Sequence, residues 1–262
     1  MILDRFQLRD RVAVVTGAGK GIGAAIALGL AEAGADVVCA ARTEATLEAV
    51  ASRIRGLGRR ALVVPCDVNE RSQLETLAAR SLDTFGRVDV LVNNAGGAPP
   101  KPFLRTSEKA FEDAFHFNVT SGFVASRLFV PSMQAAGGGS IVNISSALSH
   151  RVEKAFVAYG TAKAALNHMT ELLAFELAPL VRVNAIAVGS IETEALTPFL
   201  SSGGLREKME ALTPMARLGT PEDIAAMALY LASPASAWVT GKIFEVDGGC
   251  VASNWPLDLS GA

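Results

Sequence analysis

Cysteine is scarce: Cys39, Cys66 and Cys250 are the only three in a chain of 262 residues. The number is odd and each lies in or beside an apolar run, which argues against a disulfide framework and fits buried thiols in a reducing compartment. Charge is also sparse, at 19% of residues with a net value of −2. No basic excess favours nucleic acid or an anionic membrane. No apolar run approaches the roughly 18–20 residues that span a bilayer. The opening MILDRFQLRDRVAVV carries charges throughout, which argues against a signal peptide. The three histidines have no cysteine or acid at metal-binding spacing. The expectation is a cytoplasmic protein with no nucleic-acid, membrane or metal partner.

What is present is a rhythm. Half the residues are hydrophobic, and a chain of this length can form one large domain that buries roughly three-quarters of its unfolded surface. Short β-branched runs alternate with helical patterns: VAVVTG (12–17), DVVCAA (36–41), ALVVPC (61–66), VDVLVNN (88–94), SIVNIS (140–145), VRVNAIAV (181–188) and KIFEVDGG (242–249). Near-continuous apolar strands suit a parallel sheet covered on both faces. The pattern predicts a single α/β domain over 1–262, a doubly wound Rossmann sheet of about seven strands with right-handed crossovers. Residues 190–214 break the rhythm. They predict an insertion that covers the substrate, an amphipathic lid through Ile191, Leu196, Phe199, Leu200, Leu205, Met209 and Leu212, hinged at Gly203-Gly204. Packing helices with no gating role are the alternative.

Between the first strand and first helix stands Thr16-Gly17-Ala18-Gly19-Lys20-Gly21-Ile22-Gly23. Glycines there let the backbone approach a pyrophosphate, and the helix N-terminus meets its charge. The spacing Gly-x-x-x-Gly-x-Gly differs from GxGxxG, and Gly21 after Lys20 excludes a Walker A loop. The second strand ends Ala40-Ala41-Arg42, where an NAD site usually offers an acid to the ribose diol. Arg42 and Lys20 could instead meet the 2′-phosphate of NADP; a solvated surface arginine is the alternative.

Tyr159 and Lys163 lie four residues apart in one helical stretch, so phenol and ammonium share a face. Ser146 lies thirteen residues before the tyrosine. Lowering a phenol from about 10 by three units takes about 4 kcal/mol, more than an exposed ion pair supplies. The site must be partly desolvated or borrow a second positive charge.

With the glycine turn, Asn93-Asn94-Ala95-Gly96, Asn118 in HFNVTSGF, Ser146 and Tyr159-x-x-x-Lys163, the chain resembles the short-chain dehydrogenase/reductase family from Arg11 to about Gly249. The resemblance implies a nicotinamide cofactor; with Arg42 and Lys20 as read above, NADP(H) is the preferred form and NAD(H) possible. Gly17, Lys20, Gly21, Ile22 and Gly23 would hold its phosphates, Asp67 and Val68 its adenine, and Asn94, Ala95 and Gly96 would lie beside it. Gly189, Ile191 and Thr193 would flank its nicotinamide end. It also implies that Ser146 binds the substrate oxygen and that Tyr159 exchanges its proton. Lys163 would hold the nicotinamide ribose and lower the tyrosine pKa, and Asn118 would hold a water linking Lys163 to solvent. The oxidised nicotinamide would be the second cation.

The family often has Pro-Gly where this chain has Val188-Gly189, which leaves the placement of Thr193 open. His116 and His168 read as ordinary helix residues, and His150 could touch substrate. Glu192 and Glu194 read as solvated. The activity implied is interconversion of a secondary alcohol and a ketone, a small-molecule substrate. Within the family the chain is similar to bacterial hydroxysteroid dehydrogenases of the 7-alpha type and to 3-oxoacyl carrier-protein reductases. PSMQAAGGGS (131–140) lacks basic residues for an acidic carrier, which favours the former. A non-catalytic nucleotide-binding regulator is the reading from another class. Apolar helices around 119–136 and 155–179 suggest a homo-oligomer, and the resemblance implies a homotetramer.

Overall fold

The computed structural model describes residues 1–194, 196–200 and 204–256, without the side chains of Pro198 and Phe199. Gly203 and the Phe199 side chain, both assigned above to the lid, lie outside the described residues. The first half of the chain runs β1 (Val12–Thr16), α1 (Gly21–Glu32), β2 (Asp36–Ala41), α2 (Glu44–Gly56), β3 (Ala61–Pro65), α3 (Arg71–Phe85) and β4 (Val90–Asn93). The second continues through α4 (Glu108–Phe115), α5 (Ser121–Ala135), β5 (Gly139–Ser146), α6 (Val157–Leu177) and β6 (Val181–Val188). It then forms α7 (Thr197–Leu200), α8 (Leu205–Ala211), α9 (Pro221–Ala232) and β7 (Ile243–Val246).

The strands make one sheet in the order β3-β2-β1-β4-β5-β6-β7, and every pairing is parallel. Side chains alternate across it. Ala13 and Val15 of β1 join a core with Ile26 of α1, Leu47 of α2 and Ile224 of α9. Val12 and Val14 face the opposite core, with Leu74 and Leu77 of α3 and Phe129 of α5. Continuous apolar strands therefore reflect helices on both faces. The connections diverge between the adjacent strands β1 and β4, which opens a crevice beyond their C-terminal ends.

All seven predicted strands form: β2 and β6 with the predicted bounds, β5 one residue longer at each end, and β1, β3, β4 and β7 shorter. Gly17 (φ 66°) turns the chain out of β1, and Gly248 and Gly249 (φ 72° and 83°) end the last strand region. Before β4, the Asp89 carboxylate takes up Arg11 at 2.7 Å and the amide of Val12 at 2.9 Å. The 190–214 insertion shares a small separate core with residues that follow it: Leu200, Leu205, Met209 and Leu218 are buried, and Leu196 and Trp255 pack against them. Leu212 departs from the predicted apolar face: it is 55% exposed, because α8 ends at Ala211 and the chain turns away. The insertion is fastened at its root, where Glu192 N donates to Gly219 O at 2.8 Å and Gly219 N to Ser190 O at 3.0 Å. No described helix is long and apolar enough to cross a membrane.

Candidate active site

The floor of the crevice is made by two turns stitched together. Asn94, just after β4, donates from Nδ2 to the carbonyl oxygens of Thr16 at 2.9 Å and Gly17 at 3.3 Å. The Thr16 hydroxyl accepts from the amides of Asn94 at 3.0 Å and Ala95 at 3.1 Å. This closeness dictates glycine: a Cβ on Gly23 would stand 2.2 Å from Gly17 O and 2.5 Å from Asn94 Nδ2. Gly21 takes a left-handed φ of 51° as α1 begins.

Two cavities adjoin this floor and share Lys20, Asn94 and Gly96. One, of about 290 Å³, is bordered by Gly17, Arg42, Thr43, Asp67, Val68 and Ala95. The other, of about 560 Å³, runs past Ile22, Gly189, Ile191 and Thr193 to Ser146, Tyr159 and Lys163. Their shared floor and the glycine cradle have the length and the backbone amides to fit an elongated dinucleotide.

Ser146 is the last residue of β5, and Tyr159 and Lys163 lie one helical turn apart on α6. The Tyr159 phenol is hydrogen-bonded to the Ser146 side chain. The Ser146 hydroxyl also accepts from Leu148 N at 3.2 Å. Lys163, 3% exposed, donates from Nζ to Ile144 O at 2.8 Å. Its ammonium stands 5.6 Å from the centroid of the Tyr159 ring. The predicted common face is present, yet the electrostatics differ from those expected. Burial pushes the Tyr159 phenol up, partly offset by the Ser146 hydrogen bond. Burial pushes the Lys163 ammonium down to about 7. Desolvation disfavours the charged form of each group, so Lys163 does not by itself give a phenolate in the unliganded protein.

Asn118 enters from a single π turn, His116–Thr120, between α4 and α5. Such turns recur at functional sites. Its Oδ1 accepts from Gly97 N at 2.8 Å, and its Nδ2 donates to Gly97 O at 3.0 Å and Ala114 O at 2.8 Å. The amide thereby holds the loop after Gly96, where a Cβ would meet Asn118 Oδ1 at 2.8 Å and Lys163 Nζ at 3.0 Å. A cavity of about 10 Å³ bordered by Asn118, Lys163, Asn93 and Ser121 lies behind it, about the room one water needs. Asn93 Oδ1, buried and without a hydrogen-bond partner among the described residues, is in its wall.

The substitution of Val188 for proline leaves Thr193 in reach of the turn: its Cγ2 stands 3.4 Å from where a Gly21 Cβ would be. The two acids flanking it are exposed, as expected of a solvated loop, and each also pairs with a cation. Glu194 meets Lys20 at 2.6 Å, and Glu192 meets Arg206 Nη1 at 3.1 Å. Lys20 is thus already partnered, whereas Arg42 is exposed and makes no ion pair or side-chain hydrogen bond among the described residues. His150 turns towards Glu245 at 3.1 Å and is not in the cleft wall. Sequence reasoning missed Phe156 and Trp255, which line the cleft. Phe156 was findable as the residue one turn before Tyr159; Trp255 carried no local signal.

A family model described as enoyl-(acyl carrier protein) reductase matches residues 17–251. An uncharacterised oxidoreductase of Mycobacterium tuberculosis is 51% identical over 260 residues, 99% of each chain. The 7alpha-hydroxysteroid dehydrogenase of Escherichia coli is 41% identical over 249 residues, 95% of this chain and 97% of that one.

The chain belongs to the short-chain dehydrogenase/reductase family. As an enzyme of that family it is an oxidoreductase acting on alcohol and ketone groups with NAD(P). A solved 7 alpha-hydroxysteroid dehydrogenase, complexed with NADH and 7-oxo glycochenodeoxycholic acid, superimposes with a TM-score of 0.92 at 40% identity, covering 96% of this chain and 98% of that one. This short-chain dehydrogenase/reductase therefore shares with it the parallel seven-stranded sheet.

Proposed function

We propose that the protein is an NADP(H)-preferring dehydrogenase/reductase that interconverts a bulky apolar ketone, of the hydroxysteroid kind, with its secondary alcohol. The observation that carries the reading is the meeting of Ser146, Tyr159 and Lys163 in one cleft against the glycine turn. In this reading 1–262 is one NAD(P)-binding domain, and 190–214 covers the substrate. Ser146 donates a hydrogen bond to the substrate oxygen, and Tyr159, kept protonated by burial, delivers its proton to the developing alkoxide. In the reverse direction the phenol must give up that proton first. Lys163 binds the ribose of the dinucleotide and, through the small cavity bordered by Asn118, is placed to pass a proton to solvent. When bound, the nicotinamide supplies the hydride acceptor or donor and, in its oxidised form, a positive charge that favours the phenolate.

NADP(H) preference rests on Arg42, which borders the adenosine-side cavity where no acid follows β2. NAD(H) remains usable because Lys20 is engaged by Glu194. A bulky substrate is supported by the cleft of about 560 Å³ and by apolar walls at Ala98, Pro100, Phe156 and Leu196. Phe175 on α6 and Leu172 beside it are 91% and 57% exposed, which supports a homotetramer built on α5 and α6. Three free buried thiols suit a cytoplasmic setting.

The test follows cofactor absorbance with cyclohexanone, a decalone, a keto-steroid and an acyl thioester, each with NADPH and NADH. Highest kcat/KM on the keto-steroid with NADPH is expected. Preference for the thioester would replace this reading with an acyl carrier-protein reductase, and turnover of none of the four would overturn the substrate class proposed.

A further inference from the structure

Trp255 lies past the last strand, yet it returns to the cleft that holds Ser146 and Tyr159. Its ring meets Phe156 edge-on, with centroids 6.2 Å apart and planes at 87°. Phe156 in turn stands 6.3 Å from the Tyr159 ring, tilted by 60°. An aromatic run therefore leads from the phenol to the C-terminal tail in two steps. On its other side Trp255 packs against the buried cluster of Leu200, Leu205, Met209 and Leu218. Trp255 and the described apolar residues of the insertion thus pack together.

The tail is also pinned. Asn254, 8% exposed, donates from Nδ2 to Thr213 Oγ1 at 2.9 Å and accepts at Oδ1 from the Ser190 hydroxyl at 2.7 Å. Ser190 belongs to the turn that borders the cleft, and Thr213 to the end of the insertion. One buried amide therefore fixes the neighbouring indole against both.

We propose that Trp255 is a specificity-determining residue: with Phe156 it forms the wall against which the distal rings of a fused-ring ketone lie, and Asn254 is its positioning residue. The proposal rests on the ketone reading above. A single ring whose carbonyl sits at Tyr159 meets Phe156 first, because Trp255 is second in the run. A fused-ring substrate reaches both. Aromatic side chains suit such a wall, since they offer large apolar area with few rotatable bonds and take edge-on or offset contacts with flat rings.

Two measurements test it. In steady-state kinetics, Trp255→Ala should lower kcat/KM for a keto-steroid about tenfold, mainly through KM, as expected for the loss of some tens of Å² of apolar contact. Cyclohexanone should change less than about threefold. Asn254→Ala should shift the ratio in the same direction, and Trp255→Phe should restore most of it. An equal fall for both ketones would reduce Trp255 to a structural role and overturn the proposal.

The second measurement does not depend on turnover. The chain has two tryptophans, and Trp238 is fully exposed, so Trp238→Phe leaves emission from Trp255 alone. With the enzyme saturated in oxidised cofactor, a keto-steroid that cannot react should change that emission saturably, and cyclohexanone should not. Absence of any change with a keto-steroid that is turned over would overturn the wall. A saturable change without turnover of any ketone would keep the wall and sink the ketone-reductase reading.

Discussion

The ammonium of Lys20 lies 2.6 Å from a carboxylate oxygen of Glu194, so the glycine turn is ion-paired to the root of the insertion. Both side chains are largely exposed, at 59% and 68%, and such a pair contributes little to stability. Its consequence is competition: a carboxylate that holds Lys20 keeps it from a cofactor phosphate. Glu194→Gln should raise the preference for NADP over NAD about two- to fivefold. Arg42→Ala should lower it about tenfold, through loss of a charge-assisted contact. Fluorescence titration with NADPH and NADH measures both, and an unchanged ratio in the two variants would place the selector elsewhere.

Tyr159→Phe should lower kcat by about 10²- to 10⁴-fold while leaving cofactor affinity nearly intact, because the ring remains and the exchangeable proton is lost. Lys163→Ala should impair both. Near-normal turnover by Tyr159→Phe on the best ketone would refute the proposed proton transfer.

Stability should report the buried lysine. Its folded pKa of about 7 lies below the unfolded value near 10.4, so between the two the unfolded chain binds more protons and stability rises with pH. Below pH 7 the penalty of burying the ammonium is present in full. Relative to Lys163→Met, the cofactor-free wild type should gain up to about 2 kcal/mol between pH 7 and pH 9. Urea unfolding at the two pH values checks this; parallel curves would mean that Lys163 titrates normally.

Gly23→Ala should weaken cofactor binding about 100-fold or more, since its Cβ would lie 2.2 Å from Gly17 O and must displace the turn. Gly56→Ala is the control. That glycine ends α2, and a Cβ added there would meet no atom within 4 Å, so alanine should stabilise by about 0.5–1 kcal/mol without touching cofactor affinity. Calorimetric binding and thermal melts separate the two effects.

Much of the fold was legible because its signals are local. A strand covered on both faces must be apolar at successive positions, and VAVVT and VRVNAIAV are so. A strand, a glycine turn and a helix in series mark a candidate phosphate site, and Tyr159 and Lys163 share a face by helical pitch alone. With Val188 at the end of β6, the Thr193 methyl lies 3.4 Å from where a Gly21 Cβ would stand.

What the sequence by itself determined is this set of elements and the side chains that short periodicities align. Tertiary structure decided what those side chains meet. Asn94 constrains Gly17 and Gly23 from more than seventy residues away. The depressed Lys163 pKa comes from enclosure by several elements, and Lys20 finds Glu194 across 174 positions. Trp255 meets Phe156 across 99 positions, and its neighbour Asn254 binds Thr213 and Ser190, contacts that no local pattern announces. Desolvation and long-range contacts depend on how the elements pack around a point, and no local pattern encodes that distance.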